Sequence, residues 1–230
     1  MADHSGLPEI GAIFDLDGVL IDSHDQHQRS WFLLADELNR PLTEAQFKES
    51  FGMRNESAIP DVFGWAEPGD ADAIRELGER KEELYRKLLR AEGIDPLPGV
   101  VSFLQALRGA EIPCVVGSST SRLNIEVCLE MTGLREFFGE HYAGAEDVTR
   151  GKPNPDVFLE AGRRIGRAPA RSFVIEDAHV GVEAAKRAGM RVIAVTTTHP
   201  AESFAGEFVP DHICASLEEI SPETIRPWFS

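Results

Sequence analysis

The 230-residue chain has no apolar run near the roughly 18 residues that a membrane-spanning helix needs. Its first residues also lack the basic stretch followed by an apolar one that is typical of a secretory signal. The length is sufficient for a full hydrophobic core. We therefore expect a cytoplasmic protein that does not bind a membrane.

Positive charge is in the minority, with 23 lysines and arginines against 39 aspartates and glutamates and a net charge of −16. Proteins that bind a nucleic-acid backbone or an anionic membrane surface need basic patches, so neither partner is expected. An anionic small substrate stays open, because a bound cation can invert the local charge. No partner protein is evident in the sequence.

Cysteines are few. The three residues (Cys114, Cys128 and Cys214) are odd in number, far apart and set among apolar neighbours. They do not have the spacing of metal ligands. We predict buried free thiols in a reducing compartment.

Strand-like and helix-like segments alternate along most of the chain. Predicted strands cover residues 12–14, 113–117, 142–143, 172–175, 192–195 and 212–214, and predicted helices cover 100–108, 122–131, 155–165 and 180–188. Such βαβ alternation predicts an α/β fold with a doubly wound, parallel, Rossmann-like sheet.

Residues 22–95 interrupt this alternation, and we call them the helical insert. They contain no convincing strand, and helices are predicted at about 27–38, 44–51 and 71–89, with Trp31, Leu34 and Leu38 facing a core. We predict two domains: a core domain at 1–21 and 96–230, called the sheet region below, and a cap domain at 22–95. An insert beside the carboxyl end of a strand commonly acts as a lid.

Two aspartates follow the first predicted strand. Residues 11–20 read Gly-Ala-Ile-Phe-Asp-Leu-Asp-Gly-Val-Leu, so Asp15 and Asp17 stand at the carboxyl end of an apolar run, directly before Gly18. In an open α/β sheet, ligands bind at this end of the strands. A turn would account for Asp17 and Gly18. It would leave Asp15 unexplained, because a carboxylate beside a buried strand is costly unless it is paired or holds a cation.

Three hydroxyl side chains follow the second predicted strand. Ser118, Ser119 and Thr120 stand just before the helix that begins at Arg122. Hydroxyls and free amides at a helix start can hold a phosphate. They can equally serve as ordinary helix caps.

Two more polar clusters come later in the chain. Lys152 lies among turn residues, where a lysine is commonly a solvated surface residue. Glu176 and Asp177 end another apolar strand, although Asp177 could merely cap the next helix. Together with the first two aspartates, they would place four carboxylates on adjacent strand ends.

The chemistry of these groups indicates phosphoryl transfer. A carboxylate can attack phosphorus and form an acyl phosphate, and a second carboxyl can protonate the leaving alcohol and then activate water. Repulsion among the acids requires a cation, and hard oxygen ligands too few for a closed cage suit Mg²⁺. Lys152, Ser118 and Mg²⁺ would hold the phosphoryl oxygens.

In their order along the chain, these motifs resemble those of the haloacid dehalogenase superfamily, in its phosphatase and phosphomutase branch. The resemblance implies Asp15 as nucleophile, Asp17 as general acid and base, and Ser118 and Lys152 as phosphate-holding groups. It implies Mg²⁺ as cofactor, bound by Asp15, the backbone carbonyl of Asp17, Glu176 and Asp177. It also implies that residues 22–95 form the helical cap of this family.

The resemblance extends into the insert. His27, Trp31 and Lys81 match positions in the β-phosphoglucomutases of the family, and residues 52–55 resemble the loop of the cap that selects the substrate. This chain has Asn55 where those mutases carry arginine, with Arg54 one position earlier, which puts mutase activity in doubt. The implied substrate-binding residues are Gly18, His27, Gly52, Arg54, Asn55, Lys81, Ser119, Thr120 and Arg122.

Residues 52–56, 80–85 and 146–153 are more similar to phosphatases that act on 5-amino-6-(5-phosphoribitylamino)uracil in riboflavin synthesis. The predicted function is Mg²⁺-dependent hydrolysis of a small phosphorylated metabolite, a sugar or polyol phosphate, through an aspartyl-phosphate intermediate. A phosphomutase is the nearest alternative, and a catalytically silent binding protein on the same fold is another. Carbon–halogen cleavage is disfavoured, because dehalogenases of this family lack an acid where Asp17 stands, whereas an alkoxide leaving group needs one.

Overall fold

A parallel β-sheet forms the centre of the protein in the computed structural model, which describes residues 10–50 and 53–229. Within these residues the sheet has six strands in the order β3-β2-β1-β4-β5-β6, all paired in parallel. The strands are β1 (Gly11–Phe14), β2 (Cys114–Gly117), β3 (Tyr142–Ala143), β4 (Ser172–Glu176), β5 (Arg191–Val195) and β6 (His212–Cys214). The predicted parallel α/β sheet is confirmed. Because the winding reverses at β1, a crevice for ligands lies at its carboxyl end.

Ten α-helices surround the sheet or build the insert in the part of the chain that the structure describes. They are α1 (His24–Leu38), α2 (Glu44–Ser50), α3 (Asn55–Ser57), α4 (Ala71–Glu92), α5 (Val100–Gly109), α6 (Arg122–Met131), α7 (Arg135–Phe138), α8 (Asp156–Arg164), α9 (His179–Arg187) and α10 (Pro222–Ile225). A π-helical turn covers Ala58–Val62. No helix of the described residues is both long and apolar enough to cross a membrane.

The strands are apolar because helices cover both faces of the sheet. In β1, Phe14 packs edge-on against Phe103 and Phe138 on one face. Ile13 points to the other face, into the cluster beneath α8 and α9. This alternation follows from the two-residue period of a strand. All three cysteines are buried and free, as predicted.

The helical insert contains no β-strand among its described residues. It has an apolar cluster of its own, which includes Trp31, Leu34 and Trp65. Helix α4 also reaches the sheet region, since Tyr85 and Leu89 belong to the cluster on one sheet face. The predicted burial of Trp31 and Leu34 is confirmed, whereas Leu38 is only partly buried.

The ends of the insert lie side by side, because Ile21 and Pro96 form an antiparallel bridge. Both linkers between the insert and the sheet region therefore run through one place. The division into two domains at these positions stays a prediction. Phe51, the last residue of one predicted helix, lies outside the described residues.

Candidate active site

The candidate catalytic residues gather at the carboxyl ends of three neighbouring strands. Asp15 follows β1, Ser118 follows β2, and Glu176 ends β4 with Asp177 directly after it. The amide of Asp15 donates a hydrogen bond to the carbonyl of Ile175 (3.0 Å), which extends the pairing of β1 with β4 into the site. These four polar residues line a cavity of about 690 Å³ between the sheet and the helical insert.

Lys152 lies at the base of this cavity, with 4% of its side chain exposed. Its Nζ is 3.1 Å from Asp15 Oδ1 and donates a hydrogen bond to Glu176 Oε1 at 2.6 Å. Burial acts to lower the pKa of Lys152, but the negative charges of Asp15 and Glu176 outweigh it and raise that pKa above its ordinary value. The ammonium group is therefore a fixed positive charge beside Asp15.

The surroundings of Asp15 disfavour the charged form of its carboxyl group. Burial raises its pKa to about 7, with the charges of Glu176 and Asp17 adding to this effect and Lys152 opposing it. Burial and the charges of Glu176 and Asp15 likewise raise the pKa of Asp177 well above its ordinary value. Asp15 Oδ1 is buried and accepts no hydrogen bond of good geometry from any residue that the structure describes.

These three acids fit a divalent cation. Asp15, Glu176 and Asp177 each offer a carboxylate oxygen, and the three atoms lie within 4.8 Å of one another. Hard, anionic oxygen ligands at partial coordination are what Mg²⁺ binds in proteins. A cation here would relieve the repulsion that raises the two pKa values.

Two glycines make room for this acid cluster. Gly18 has φ +75°, and a Cβ on it would lie 2.0 Å from Asp177 Oδ2. A Cβ on Gly181, in the first turn of α9, would lie 1.7 Å from Glu176 Oε1. Glu176 Oε2 is in turn held by the amides of Asp177 and Ala178, both at 2.7 Å. The carboxylate is thus fixed from both sides.

Asp17 has different surroundings. It accepts a hydrogen bond from the Ser23 hydroxyl, and His27 Nε2 lies 3.4 Å from its Oδ1. Burial acts to raise the pKa of Asp17, but the hydrogen bonds from His27 and Ser23 hold it below the ordinary value. The two aspartates of the motif therefore differ: the pKa of Asp15 is raised above its ordinary value, whereas the pKa of Asp17 is lowered.

The insert contributes a second group of polar side chains to the cavity. Lys81 is 3% exposed, and its Nζ lies 2.8 Å from His27 Nδ1 and 3.0 Å from Glu82 Oε1. Asn55 donates a hydrogen bond to the same oxygen of Glu82 at 2.8 Å. Arg54 donates from Nη2 to the backbone carbonyls of Ala145 (2.9 Å) and Val148 (3.4 Å) in the sheet region.

Most of the predicted site residues line the cavity. Those that do are Asp15, Asp17, His27, Arg54, Asn55, Lys81, Ser118, Ser119, Thr120, Lys152, Glu176 and Asp177. The side chain of Arg122 is about half exposed, pairs with Asp147 at 3.4 Å and does not line it. Gly18 leaves the space that the Asp177 carboxylate occupies, and Gly52 lies outside the described residues.

Several contributing residues were not predicted. Thr198 donates a hydrogen bond to Asp177 and stands in a polar run directly after β5, the same signal that indicates the other clusters. Ser23 binds Asp17 from the position before α1. Glu82 and Asn124 lie within helices, where no sequence pattern separates them from solvated polar residues.

A sequence model of the haloacid dehalogenase-like hydrolase family matches residues 11–189. The chain belongs to this family. The resemblance indicated by the four motifs is thereby confirmed. The family match spans strands β1 to β4 and the whole insert, so it includes every candidate residue of the cavity.

Three relatives illustrate the range of activities among similar proteins. The chain is 34% identical over 201 residues to the chloroplastic 5-amino-6-(5-phospho-D-ribitylamino)uracil phosphatase of Arabidopsis thaliana. The matched region covers 86% of this chain but only 52% of that protein, so the chain spans about half the length of this relative. It is 31% identical over 192 residues to β-phosphoglucomutase of Bacillus subtilis (strain 168), covering 82% and 84%. It is 31% identical over 221 residues to hexitol phosphatase A of Escherichia coli (strain K12), covering 92% and 93%.

Proposed function

We propose that this protein is a Mg²⁺-dependent phosphatase that hydrolyses a small phosphorylated metabolite, a sugar or polyol phosphate, through an aspartyl phosphate at Asp15. One observation carries the proposal. A buried acid at the switch point of the sheet, Asp15, lies 3.1 Å from a buried lysine, and a second acid, Asp17, stands two residues later with its pKa lowered where that of Asp15 is raised. Paired titratable groups with divergent pKa values are typical of acid–base and nucleophilic sites.

Asp15 is the proposed nucleophile. Its carboxylate lines the cavity, and Lys152 Nζ lies 3.1 Å from its Oδ1. Attack of this carboxylate on phosphorus forms an acyl phosphate and releases the alcohol. Mg²⁺ bound by Asp15, Glu176 and Asp177 would offset their charge and polarise the phosphoryl oxygens.

Asp17 is the proposed general acid and base. In the first step it gives its proton to the leaving alcohol, and in the second it takes a proton from the water that attacks the aspartyl phosphate. The hydrogen bonds from His27 and Ser23 favour the ionised form, which accepts the proton from water in the second step, so the first step uses the minor population in which Asp17 carries its proton. The hydrogen bond from Ser23 fixes one orientation of the carboxylate.

Lys152 and the loop after β2 are the groups proposed to hold the phosphoryl oxygens. Ser118 is 2% exposed and its hydroxyl accepts a hydrogen bond from the amide of Thr120 at 3.3 Å. This loop leads into α6, whose first turn is capped by the Ser121 side chain. Donors at a helix start and a fixed ammonium stabilise the charge that builds on phosphoryl oxygens.

The insert is proposed to act as the cap domain that selects the leaving group. Its wall of the cavity combines apolar side chains such as Phe47 and Ile74 with polar ones such as Asn55 and Glu82. A cavity of about 690 Å³ has the size of sites for small metabolites. Polar groups placed on an apolar wall suit the alternating hydroxyl and carbon surfaces of a sugar or polyol.

A phosphomutase is the second candidate, and the similarity to the Bacillus subtilis β-phosphoglucomutase favours it. A mutase has to retain a bisphosphate, and its cap therefore needs a free cationic group for the second phosphate. The candidate here is Arg54, but its Nη2 is occupied by two backbone carbonyls of the sheet region. This contact supports the phosphatase.

The proposal includes the setting of the reaction. The partner is a small phosphorylated molecule, with no nucleic acid, membrane or partner protein required. A cytoplasmic location is supported by three free, buried cysteines, since such thiols persist in a reducing compartment.

The test is phosphate release with Mg²⁺ across a panel of sugar and polyol phosphates, including the ribitylamino phosphate of riboflavin synthesis. Asp15→Asn is the blank, and Asp25→Asn, at a side chain that is 66% exposed, is the matched control. Release by the wild type and the control but not by the blank is expected. Conversion of β-glucose 1-phosphate to glucose 6-phosphate with a bisphosphate primer, without release, would make the protein a mutase. Release that survives in Asp15→Asn would overturn the assignment of the nucleophile.

A further inference from the structure

Glu82 of helix α4 is a point where the insert meets the sheet region. Its side chain is only 13% exposed. One carboxylate oxygen accepts hydrogen bonds from Lys81 Nζ (3.0 Å) and Asn55 Nδ2 (2.8 Å), both in the insert. The other accepts a hydrogen bond from Asn124 Nδ2 (2.6 Å), which lies in helix α6 of the sheet region. The carboxylate therefore binds both parts of the molecule at once.

Asn124 is fully buried and all of its side-chain groups are used. Its Nδ2 donates a second hydrogen bond to Thr120 Oγ1 (2.8 Å), and its Oδ1 accepts one from Arg86 Nη1 (2.8 Å). Thr120 belongs to the loop that carries Ser118, a proposed phosphate-holding residue. The amide of Asn124 thus connects helix α4 to the phosphate side of the cavity.

The other end of this network reaches the proposed general acid and base. Burial acts to raise the pKa of Glu82, but the charge of Lys81 and the hydrogen bonds from Asn55 and Asn124 hold it below the ordinary value, so Glu82 provides a negative charge for the buried ammonium of Lys81. An ammonium group only donates, so His27 Nδ1 accepts from Lys81 and His27 Nε2 carries the hydrogen that faces Asp17. Tyr85 stacks on the His27 ring with a centroid distance of 4.0 Å, which fixes its plane.

We propose that Glu82 and Asn124, which we call the latch pair, are positioning residues for proton transfer by Asp17. Their hydrogen bond docks the insert on the sheet region and holds Lys81 where it fixes the tautomer and orientation of His27. Asp17 is then correctly oriented only when the insert is docked. This inference rests on the proposed phosphatase function, and it adds residues that act through Lys81 and His27 without touching the substrate phosphate.

The physical reason is the burial of Lys81. A buried ammonium that loses its counter-charge is strongly disfavoured and moves toward water. When the latch pair is broken, the insert and its carboxylate move away from Asn124, and Lys81 loses its fixed position. His27 then has no donor at Nδ1, so its hydrogen can shift to the nitrogen that faces away from Asp17.

Three variants separate the latch from general packing. Asn124→Asp is nearly isosteric and places two carboxylates in contact. Glu82→Gln presents an amide NH₂ to the NH₂ of Asn124. The double variant Glu82→Gln with Asn124→Asp restores the hydrogen bond with donor and acceptor exchanged, while Arg86 and Thr120 keep partners at position 124. Glu76→Gln, an exposed position on the same helix, is the matched control.

The readout is kcat/KM for two esters, because it reports the step in which the alcohol leaves. An alkyl phosphate needs a proton on its leaving group, whereas p-nitrophenyl phosphate releases a stable anion. Each single variant is expected to lose at least about tenfold more activity on the alkyl ester than on the aryl ester, since general acid catalysis contributes about 10²–10⁴-fold. The control should keep the wild-type ratio of the two esters, and the double variant should recover most of the loss, because it regains the hydrogen bond and keeps one carboxylate in the network, at position 124 instead of 82.

Equal losses on both esters, or a double variant as impaired as the single ones, would overturn the latch. A wild type inactive on both esters would overturn the proposed function instead. Small-angle X-ray scattering of the same proteins would then test whether the latch pair docks the insert on the sheet region. Asn124→Asp should have a larger radius of gyration than the wild type and than the double variant. Equal radii in all three would refute the docking role.

Discussion

The substitution Gly181→Ala adds one methyl group where the structure leaves no space for it. A Cβ at this position would lie 1.7 Å from Glu176 Oε1 and 1.9 Å from its Cδ. Gly181 lies in the first turn of α9 and has no positive φ, so the helix itself accepts alanine. The flexible end of Glu176 is therefore the part that has to move.

The size of the effect follows from the contacts that Glu176 would lose. Its Oε1 must move by about 1.7 Å to reach the 3.4 Å at which ordinary contact begins. That displacement separates the carboxylate from Lys152 (2.6 Å) and from the amides of Asp177 and Ala178 (2.7 Å each). A hydrogen bond to a charged group contributes about 1.5–3 kcal/mol, and release of Glu176 to water offsets part of the loss, so we expect a net destabilisation of about 2 kcal/mol.

The substitution should also weaken the binding of Mg²⁺. Glu176 is one of three acids in the candidate metal cluster and the nearer of the two carboxylate partners of Lys152. Moving it should weaken Mg²⁺ binding by about 10–100-fold, as loss of a supporting group around a metal commonly does. Isothermal titration with Mg²⁺ measures the affinity, and urea denaturation measures the free energy of unfolding.

Gly109→Ala is the matched control for this prediction. Gly109 also lies in a helix, without a positive φ, and a Cβ there would meet nothing within 4 Å. It should keep wild-type Mg²⁺ affinity and lose no stability. Unchanged Mg²⁺ affinity in Gly181→Ala would refute the reasoning, because it would mean that the position of Glu176 does not matter to the cation.

Three further predictions concern acids whose surroundings differ. Asp17→Asn should lower hydrolysis of alkyl phosphates by about 10²–10⁴-fold in steady-state assays. Asp15 binds its proton more tightly in the folded protein (pKa about 7) than in the unfolded chain (3.8). The free energy of unfolding of the metal-free protein should therefore decrease as the pH rises from about 4 to about 7, and saturating Mg²⁺ should remove this slope in urea titrations. Hydrogen bonds from Arg163 and Arg164 lower the pKa of Glu160 to about 2 against burial, so Glu160→Gln should cost about 1 kcal/mol at pH 7, after discounting for the exposure of Arg163, and nothing well below pH 2. The cost of Glu160→Gln should be fully present above the unfolded pKa of 4.5 and should shrink below it. A cost that does not change with pH would contradict the assignment.

The sheet could be predicted from the sequence because its strands are buried on both faces and read as short apolar runs. Helix α6 was predicted with the correct ends, since the Ser121 side chain caps Asn124 and Gly133 (φ +71°) ends the helix. Local chemistry was sufficient in these segments.

Helix ends in the insert were less predictable. Helix α4 continues to Glu92, three residues beyond the predicted end, and Glu92 pairs with Arg29 of α1 at 2.6 and 2.8 Å. Helix α1 starts at His24, three residues early, although the preceding Ser23 gives its hydroxyl to Asp17 instead of capping the helix. Tertiary contacts decide both ends, and a single sequence does not contain them in recognisable form.

The candidate site shows the same division. Asp15, Ser118 and Glu176 could be found because each follows a strand and parallel strands end at one edge. The latch pair could not, because Glu82 and Asn124 are 42 positions apart on helices whose relative placement depends on the docking of the insert. Sequence patterns indicate which strand ends carry chemistry, whereas contacts between helices emerge only from the packed fold.

The most direct test of the account is an acid-quenched single turnover followed by mass spectrometry of the peptides. With Mg²⁺ and a substrate found in the panel, we predict that the peptide containing Asp15 gains the mass of one phosphoryl group and that the label maps to Asp15. The label should disappear in Asp15→Asn. A phosphoryl group on another residue, or hydrolysis by Asp15→Asn at the wild-type rate, would contradict the central claim that Asp15 is the nucleophile.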